Sequence, residues 1–418
     1  MAREMKDSGV QWIGSIPEGW MCYKLKYLGQ YINGFAFKPE DWGNTGRRII
    51  RIQDLTGSND SPNYFDGQID NRYLVLDGDI LVSWAATLEA FIWNRGEGWL
   101  NQHIFRALPN TSIVEYDYFF WLIKEAMKNM NNDNKHGIMM QHVTLDVFGN
   151  FAVPIPPLPE QSRIAAFLDR RCAEIDRVIT ATQRTIEEYK KLKQSIITEA
   201  VTHGVRGPRK MKDSGVEWIG EIPEEWEVIR GKGLFTEVDT RSTDGSEELL
   251  TVSQYTGITP RSQKNVTMFE AETLEGYKIC EIGDIAANTM WLWAGAIGVS
   301  SYRGVISPSY NIYRPIGNKY VPGYLDLLLR IPPLVQHYES LSTGIRASRL
   351  RLYPQQFLGI RFIVPSVQEQ QEVLCYLQHK TTEMDRLIEA KQRLLTELEA
   401  YKKSVIYEYV TGKKEAPQ

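Results

Sequence analysis

Residues 160–202 contain neither glycine nor proline, and they place Leu168, Ile175, Thr182, Tyr189 and Ile196 seven residues apart, with Cys172, Ile179 and Ile186 four residues behind. A seam this narrow predicts a long helix that packs against one other helix, because a lone helix in water would leave the seam exposed. The chain supplies the partner by repeating itself. Residues 369–411 also lack glycine and proline, and Leu377, Met384, Ile388, Leu395, Leu398 and Val405 occupy the same seam. The register is gapless: Glu160 and Glu369, Gln161 and Gln370, Asp176 and Asp385, Ser195 and Ser404 all stand 209 residues apart.

A second repeat precedes each helix. Residues 5–20 read MKDSGVQWIGSIPEGW and residues 211–226 read MKDSGVEWIGEIPEEW, an offset of 206. The chain is a tandem duplication. Its inserts differ by a net three residues and have otherwise diverged, which points to one scaffold presenting two different surfaces. The expected fold class is α+β: two similar mixed α/β globular domains separated by a two-helix coiled coil, in a pseudo-twofold repeat. The boundaries are 1–158 for the first domain, 159–203 for the first helix, 204–364 for the linker and second domain, 365–412 for the second helix and 413–418 for a frayed tail. That tail is expected near the N-terminus, in the place that the linker 203–210 takes between the halves.

The front motif, with Trp12, Ile13, Ile16, Pro17 and Trp20, reads as a packing clip. In the first insert, residues 48–52, 73–76 and 80–84 read as strands, 115–130 as an amphipathic helix and 143–151 as a return to β structure. The second insert follows the same order: Ile282-Gly283-Asp284-Ile285 answers Asp77-Gly78-Asp79-Ile80, Ser307 to Tyr310 answer Asn101 to Ile104, and 321–342 replaces the helix. Prolines at 154, 156, 157 and 159, and at 365, mark the start of each long helix.

With 418 residues, 43% hydrophobic and 24% charged, the chain has the composition of a folded protein with two cores. A net charge of −4 excludes a general polyanion coat but not local basic faces. Cys22, Cys172, Cys280 and Cys375 form no CxxC pair and the six histidines show no ligand spacing, so neither a disulfide framework nor a zinc site is expected. The start, MAREMKDSGV, lacks a signal-peptide core, and no apolar run reaches the eighteen or so residues of a membrane span. The expectation is a cytoplasmic protein without cofactor.

Catalytic signatures are missing. There is no GxxxxGK[ST], no HExxH and no GxSxG. There is also no [DN]PP[FYW], since Ile155 precedes Pro156-Pro157 and Ile331 precedes Pro332-Pro333. Asp77 and Asp79 flank a glycine and read as turn formers. The chain is expected to be no enzyme by itself. The strongest recognition signal is GIRASRLRL at 344–352, where Arg346, Ser348, Arg349 and Arg351 offer guanidinium forks suited to phosphate and to guanine. Its counterpart, GIMMQHVT at 137–144, offers Gln141 and His142 instead, so the halves would read different bases. Weaker candidates are Lys38, Arg47, Arg48 and Arg51 in the first insert, and Arg261, Lys264 and Asn265 in the second. Asn101, Gln102 and His103 are polar among apolar neighbours; Trp84, Trp291 and Trp293 read as core.

The MKDSGVxWIGxIPExW fronts, the PxPPxxEQ helix start with EIDxxI, and GVISPSYNIYRP in the second insert resemble the specificity (S) subunit of Type I restriction-modification systems. The resemblance spans nearly the whole chain; only the VPSV at 364–367, which lacks the PPL of the first half, departs from it. It implies two target-recognition domains that each read half of a bipartite double-stranded DNA sequence, and two antiparallel helices as spacer. It also implies docked methyltransferase (M) subunits, two of them, that bring S-adenosylmethionine chemistry, and restriction (R) subunits that add ATP-driven translocation and cleavage. A 43-residue helix spans about 65 Å at 1.5 Å per residue, against roughly 34 Å for one DNA turn. The competing expectation is a coiled-coil scaffold that presents two protein-binding domains and no DNA function, which the weakly acidic net charge favours.

Overall fold

The computed structural model describes residues 3–59, 61–85, 87–133, 143–264, 273–344 and 350–417. The chain forms two compact units, Met1–Thr182 with Arg393–Gln418 and Gln183–Gln392. The long helices are Leu158–His203 and Val367–Val410, so both unit boundaries fall inside helices, where the sequence reading had set the helices apart as separate segments.

Within each unit the two helices run antiparallel. In the first, Lys402 Nζ donates to both carboxylate oxygens of Asp176 at 2.7 and 2.6 Å, and Phe167 packs on Tyr409 at 4.3 Å. In the second, Lys193 Nζ donates to Asp385 at 2.6 and 2.7 Å. These are one ion pair written twice, because Lys193 and Lys402, like Asp176 and Asp385, are repeat mates. The seam is legible in burial. Leu168, Cys172, Ile175, Thr182 and Ile186 are buried, as are Leu377, Ile388 and Val405, whereas Val178 and Leu192, off the seam, are exposed. Both helices end in a left-handed glycine, Gly204 (φ 78°) and Gly412 (φ 71°), the conformation that closes a helix C-terminus most readily.

The front motif seats each unit on its helices. The indole N–H of Trp20 donates to Glu160 Oε2 at 3.0 Å, and that of Trp226 donates to Glu369 at 2.8 Å. Arg3 and Arg209 close the same triangle: each pairs with its glutamate and lies 5.4 Å over its tryptophan ring. Next to them, Gln161 Nε2 bonds the carbonyls of Ile113 and Pro156, and Gln370 does the same to Lys319 and Pro365. The second helix therefore starts as the first does even without the PPL. The phenol of Tyr118 donates to Val410 O at 3.2 Å and that of Tyr324 to Val201 O at 2.7 Å.

Each insert builds an antiparallel sheet. One has the order Gly29–Asn33, Ile104–Pro109, Ile80–Ser83, Glu89–Ile92, and the other Phe235–Val238, Asn311–Pro315, Ile285–Ala287, Ile297–Val299. The glycine turns enter them alike, with Gly78 and Gly283 left-handed at φ 92° and 88°. Asp79 and Asp284 accept the backbone N–H of Leu76 and Glu281 at 2.8 and 2.9 Å. Asp77 accepts Gly96 N–H at 2.7 Å, so both aspartates of the first turn are turn formers. The three extra residues enter after Tyr118 and Tyr324, which still stand 206 apart. They are in place by the short helices Leu145–Asn150 and Pro354–Gly359, which stand 209 apart.

Three expectations need correction. Residues 143–151 hold a helix before the strand Ala152–Ile155, because the Thr144 hydroxyl caps it by accepting Val147 N–H and Phe148 enters the core; β-branched residues here mimic a strand. Residues 321–342 are two helices, Pro322–Leu329 and Pro332–Leu341, since Pro332 forces Ile331 to extended backbone. The tail is not frayed: Lys413 bonds the Ser15 carbonyl and Ala416 is buried with Ile13, Ile16 and Trp20.

Candidate nucleic-acid interface

In the first unit a second sheet has the order Tyr64–Phe65, Arg47–Ile50, Gly98–Leu100, Leu74–Val75, and its two inner strands are parallel. Alternation along Arg47–Ile50 sends Ile50 into an aliphatic core with Val75, Leu81 and Leu100. It sends Ile49 to the opposite face, among Phe37, Trp99, Phe35, Phe65 and Tyr73. Arginines border this aromatic face. The guanidinium of Arg47 lies 5.0 Å over Trp99 and that of Arg72 lies 4.6 Å over Tyr73. Arg51, where the chain turns from the strand into helix Ile52–Thr56, lies 4.8 Å over Trp42.

These cations differ in what holds them. Arg47 pairs with Glu97 at 3.1 Å, Arg72 with Asp70 at 3.7 Å and Lys38, which follows Phe37, with Glu40 at 3.5 Å. Arg48 points to the other face. Its Nε donates at 2.9 Å to Asp54, a fully buried carboxylate that also accepts Arg51 N–H at 2.8 Å and the Asn59 amide at 2.9 Å. Arg48 is a strut that shapes the turn, and its fork is not available to a ligand.

In the second unit the corresponding strand, Leu250–Ser253, continues into a hairpin with Gly257–Pro260. Tyr255 at its tip is 80% exposed, and Arg330 fixes the tip by donating to Tyr255 O at 2.8 Å. Arg261 begins a one-turn helix that Lys264 closes, and burial lowers the pKa of the Lys264 ammonium. Arg351 pairs backbone to backbone with Thr343, at 2.9 and 3.0 Å, on either side of residues 345–349. The candidates Arg346, Ser348 and Arg349, and in the first unit Gln141 and His142, lie outside the described residues, as does Asn265. Trp291 is half exposed rather than core; it stacks on Trp293 at 5.7 Å, and Trp293 in turn donates to Met290 O at 2.9 Å. Trp84 stacks on Phe105 at 5.8 Å.

Sequence reasoning noted the arginine cluster but missed Trp42, Trp99 and Asp54. The signal available for Asp54 is its position three residues after Arg51, where an acidic side chain caps the start of a helix. Among the described residues no group of three or more His, Cys, Asp or Glu could hold a metal ion. Burial pushes the thiols of Cys172 and Cys280 up to about 11 and about 12, so they stay protonated at neutral pH and are poor nucleophiles. A cleft of about 450 Å³ beside Lys124, Glu125 and Lys402 is lined by ion pairs already made, Lys124 with Glu89, Lys128 with Glu125 and Lys402 with Asp176. No helix among the described residues is long and apolar enough to cross a membrane.

Residues 17–188 match the family model of the Type I restriction modification DNA specificity domain. That stretch of the chain is similar to a Type I DNA specificity domain. The specificity subunit of the Type I restriction enzyme EcoBI from Escherichia coli is 26% identical over 203 residues, which span 48% of this chain and 42% of that protein. The specificity subunit of the Type I restriction enzyme MjaVIII from Methanocaldococcus jannaschii is 24% identical over 365 residues, 83% of this chain and 81% of that protein. The resemblance read from the sequence is the one these relatives carry. A solved chain from work on complex assembly and conformational transition of the type I R-M system has the same fold. It is 15% identical, covers 96% of this chain and 99% of its own length, and has a TM-score of 0.68. The aromatic face and its arginines lie within the matched residues 17–188.

Proposed function

We propose that this chain gives a Type I restriction-modification complex its DNA sequence specificity. Each unit reads one half of a bipartite double-stranded target. The two long helices form an antiparallel spacer of pseudo-twofold character that fixes the interval between half-sites and docks two methyltransferase subunits, with restriction subunits joining in the full complex. The chain works in the cytoplasm, holds no cofactor and catalyses nothing alone. The observation that carries this reading is a repeated frame under unlike surfaces: Arg3, Trp20 and Glu160 against Arg209, Trp226 and Glu369 keep one geometry. Meanwhile an arginine-bordered aromatic face in one unit gives way to a tyrosine-tipped hairpin in the other. A frame repeated for stability alone would gain nothing from such divergence.

The test is fluorescence anisotropy of the full chain with its methyltransferase subunits on labelled duplex, with salt raised from about 50 to 200 mM. Phosphate contacts make log affinity fall linearly with log salt, by orders of magnitude over that range when several phosphates are engaged. A salt-independent response would overturn the DNA reading in favour of the protein-binding scaffold.

A further inference from the structure

We infer that Arg51 is a base-reading residue of the first unit and that it takes a guanine edge in the major groove. This rests on the DNA reading above and adds to it the residue and the base. Arg47, Arg51 and Arg72, which border the aromatic face, each lie over a ring, but they are not equivalent. Arg47 and Arg72 each have a carboxylate partner, Glu97 and Asp70; among the described residues Arg51 forms no ion pair. Among the described residues its one side-chain hydrogen bond runs from Nη1 to Asn63 Oδ1 at 3.1 Å, which occupies one of the five guanidinium donors.

The group is also held in place at both ends. Asp54, fully buried and anchored by Arg48, takes the Arg51 backbone N–H at 2.8 Å. The guanidinium carbon lies 4.8 Å over the ring of Trp42, itself 40% exposed, so the fork sits beside a shelf that reaches solvent. A phosphate can be met by a point charge or by a fork; a guanine edge needs two parallel N–H groups at a fixed orientation. An arginine held at its backbone, its Nη1 and its ring face suits the second requirement. In the second unit, the parallel pairing of Ile49 with Trp99 is matched by that of Leu249 with Val305. This places Thr251 where Arg51 stands, and the Thr251 hydroxyl already donates to Thr259 O at 3.2 Å. The guanine contact is therefore expected in one half-site only.

The experiment selects duplexes from a randomised library with the full chain, assembled with its methyltransferase subunits, as wild type, Arg51→Ala, Arg51→Lys and Trp42→Leu; thermal unfolding checks each variant. Both Arg51 variants are expected to lose a guanine preference at one position of one half-site, by roughly 5- to 150-fold, and to keep the other half-site intact. Trp42→Leu is expected to weaken the same preference partially. Arg51→Lys decides the matter if the alanine variant does not fold, because it keeps the charge and loses the planar fork. An unchanged preference in Arg51→Lys overturns the inference. So does a uniform loss across sequences, with the salt slope of Arg51→Ala lower by about one, the signature of a phosphate contact. A wild type that selects no sequence would instead refute the proposed function itself.

Discussion

The residue that organises the candidate interface is a buried acid. Asp54 is wholly out of water and is satisfied by Arg48, by the Asn59 amide and by the Arg51 backbone. A carboxylate in that position is stable only while those donors remain, and removing it strands the partly buried Arg48 guanidinium. Asp54→Ala is expected to destabilise the protein by about 2–4 kcal/mol, read as a lower urea midpoint. Asp54→Asn, which keeps the shape and one acceptor, should cost less. Equal stability of Asp54→Ala and wild type would show that the turn is held by something else. The same logic explains why charge counting could not rank Lys38, Arg47, Arg48 and Arg51: four similar cations become a strut, a base-reading candidate and two rim charges only when their partners are known.

At the scale of the element, the long helices owe their stability to the seam rather than to propensity, since most helical stability in a folded protein comes from packing an apolar face. Ile175 is buried on the seam, and Val178, three residues on, is half exposed. Ile175→Ala is expected to cost about 2–4 kcal/mol and Val178→Ala under about 0.5 kcal/mol, measured by thermal unfolding of the full chain. Comparable losses at both positions would mean that the pairing face was misread. The two short helices of the second insert teach the opposite lesson. There local chemistry dominates, because Pro332 and Pro333 cannot continue a helix that the apolar pattern alone would have carried through.

At the scale of the molecule, the tail and the linker play one part. Lys413 and Ala416 pack on the first front motif. In the other unit Arg206 pairs with Glu372 through two hydrogen bonds at 2.7 and 2.9 Å, and Arg209 donates to His203 O at 2.6 Å. Gly207 and Pro208 are the exposed residues between them. A permutant opened between Gly207 and Pro208 and closed from Gln418 to Met1 by a short linker would begin at Pro208, one residue before Arg209. It should fold and bind DNA as the parent does, which thermal unfolding and the anisotropy titration would show. Loss of folding would mean that the linker is more than a connection.

The sequence by itself determined the duplication, the two helices and their seam, and the turn chemistry at Asp77 to Asp79. All of these are local or periodic signals, and a chain that copies itself reports its own equivalent positions. Only the tertiary structure decided that Glu160 and Glu369 each bind a tryptophan and an arginine far away in sequence, that 143–151 begins as a helix, and which arginine lies on which ring. Those outcomes depend on side chains brought together by sheet register and burial. A hydrophobic pattern specifies that a face is covered; it does not specify which polar group is left at the edge of that face with donors to offer.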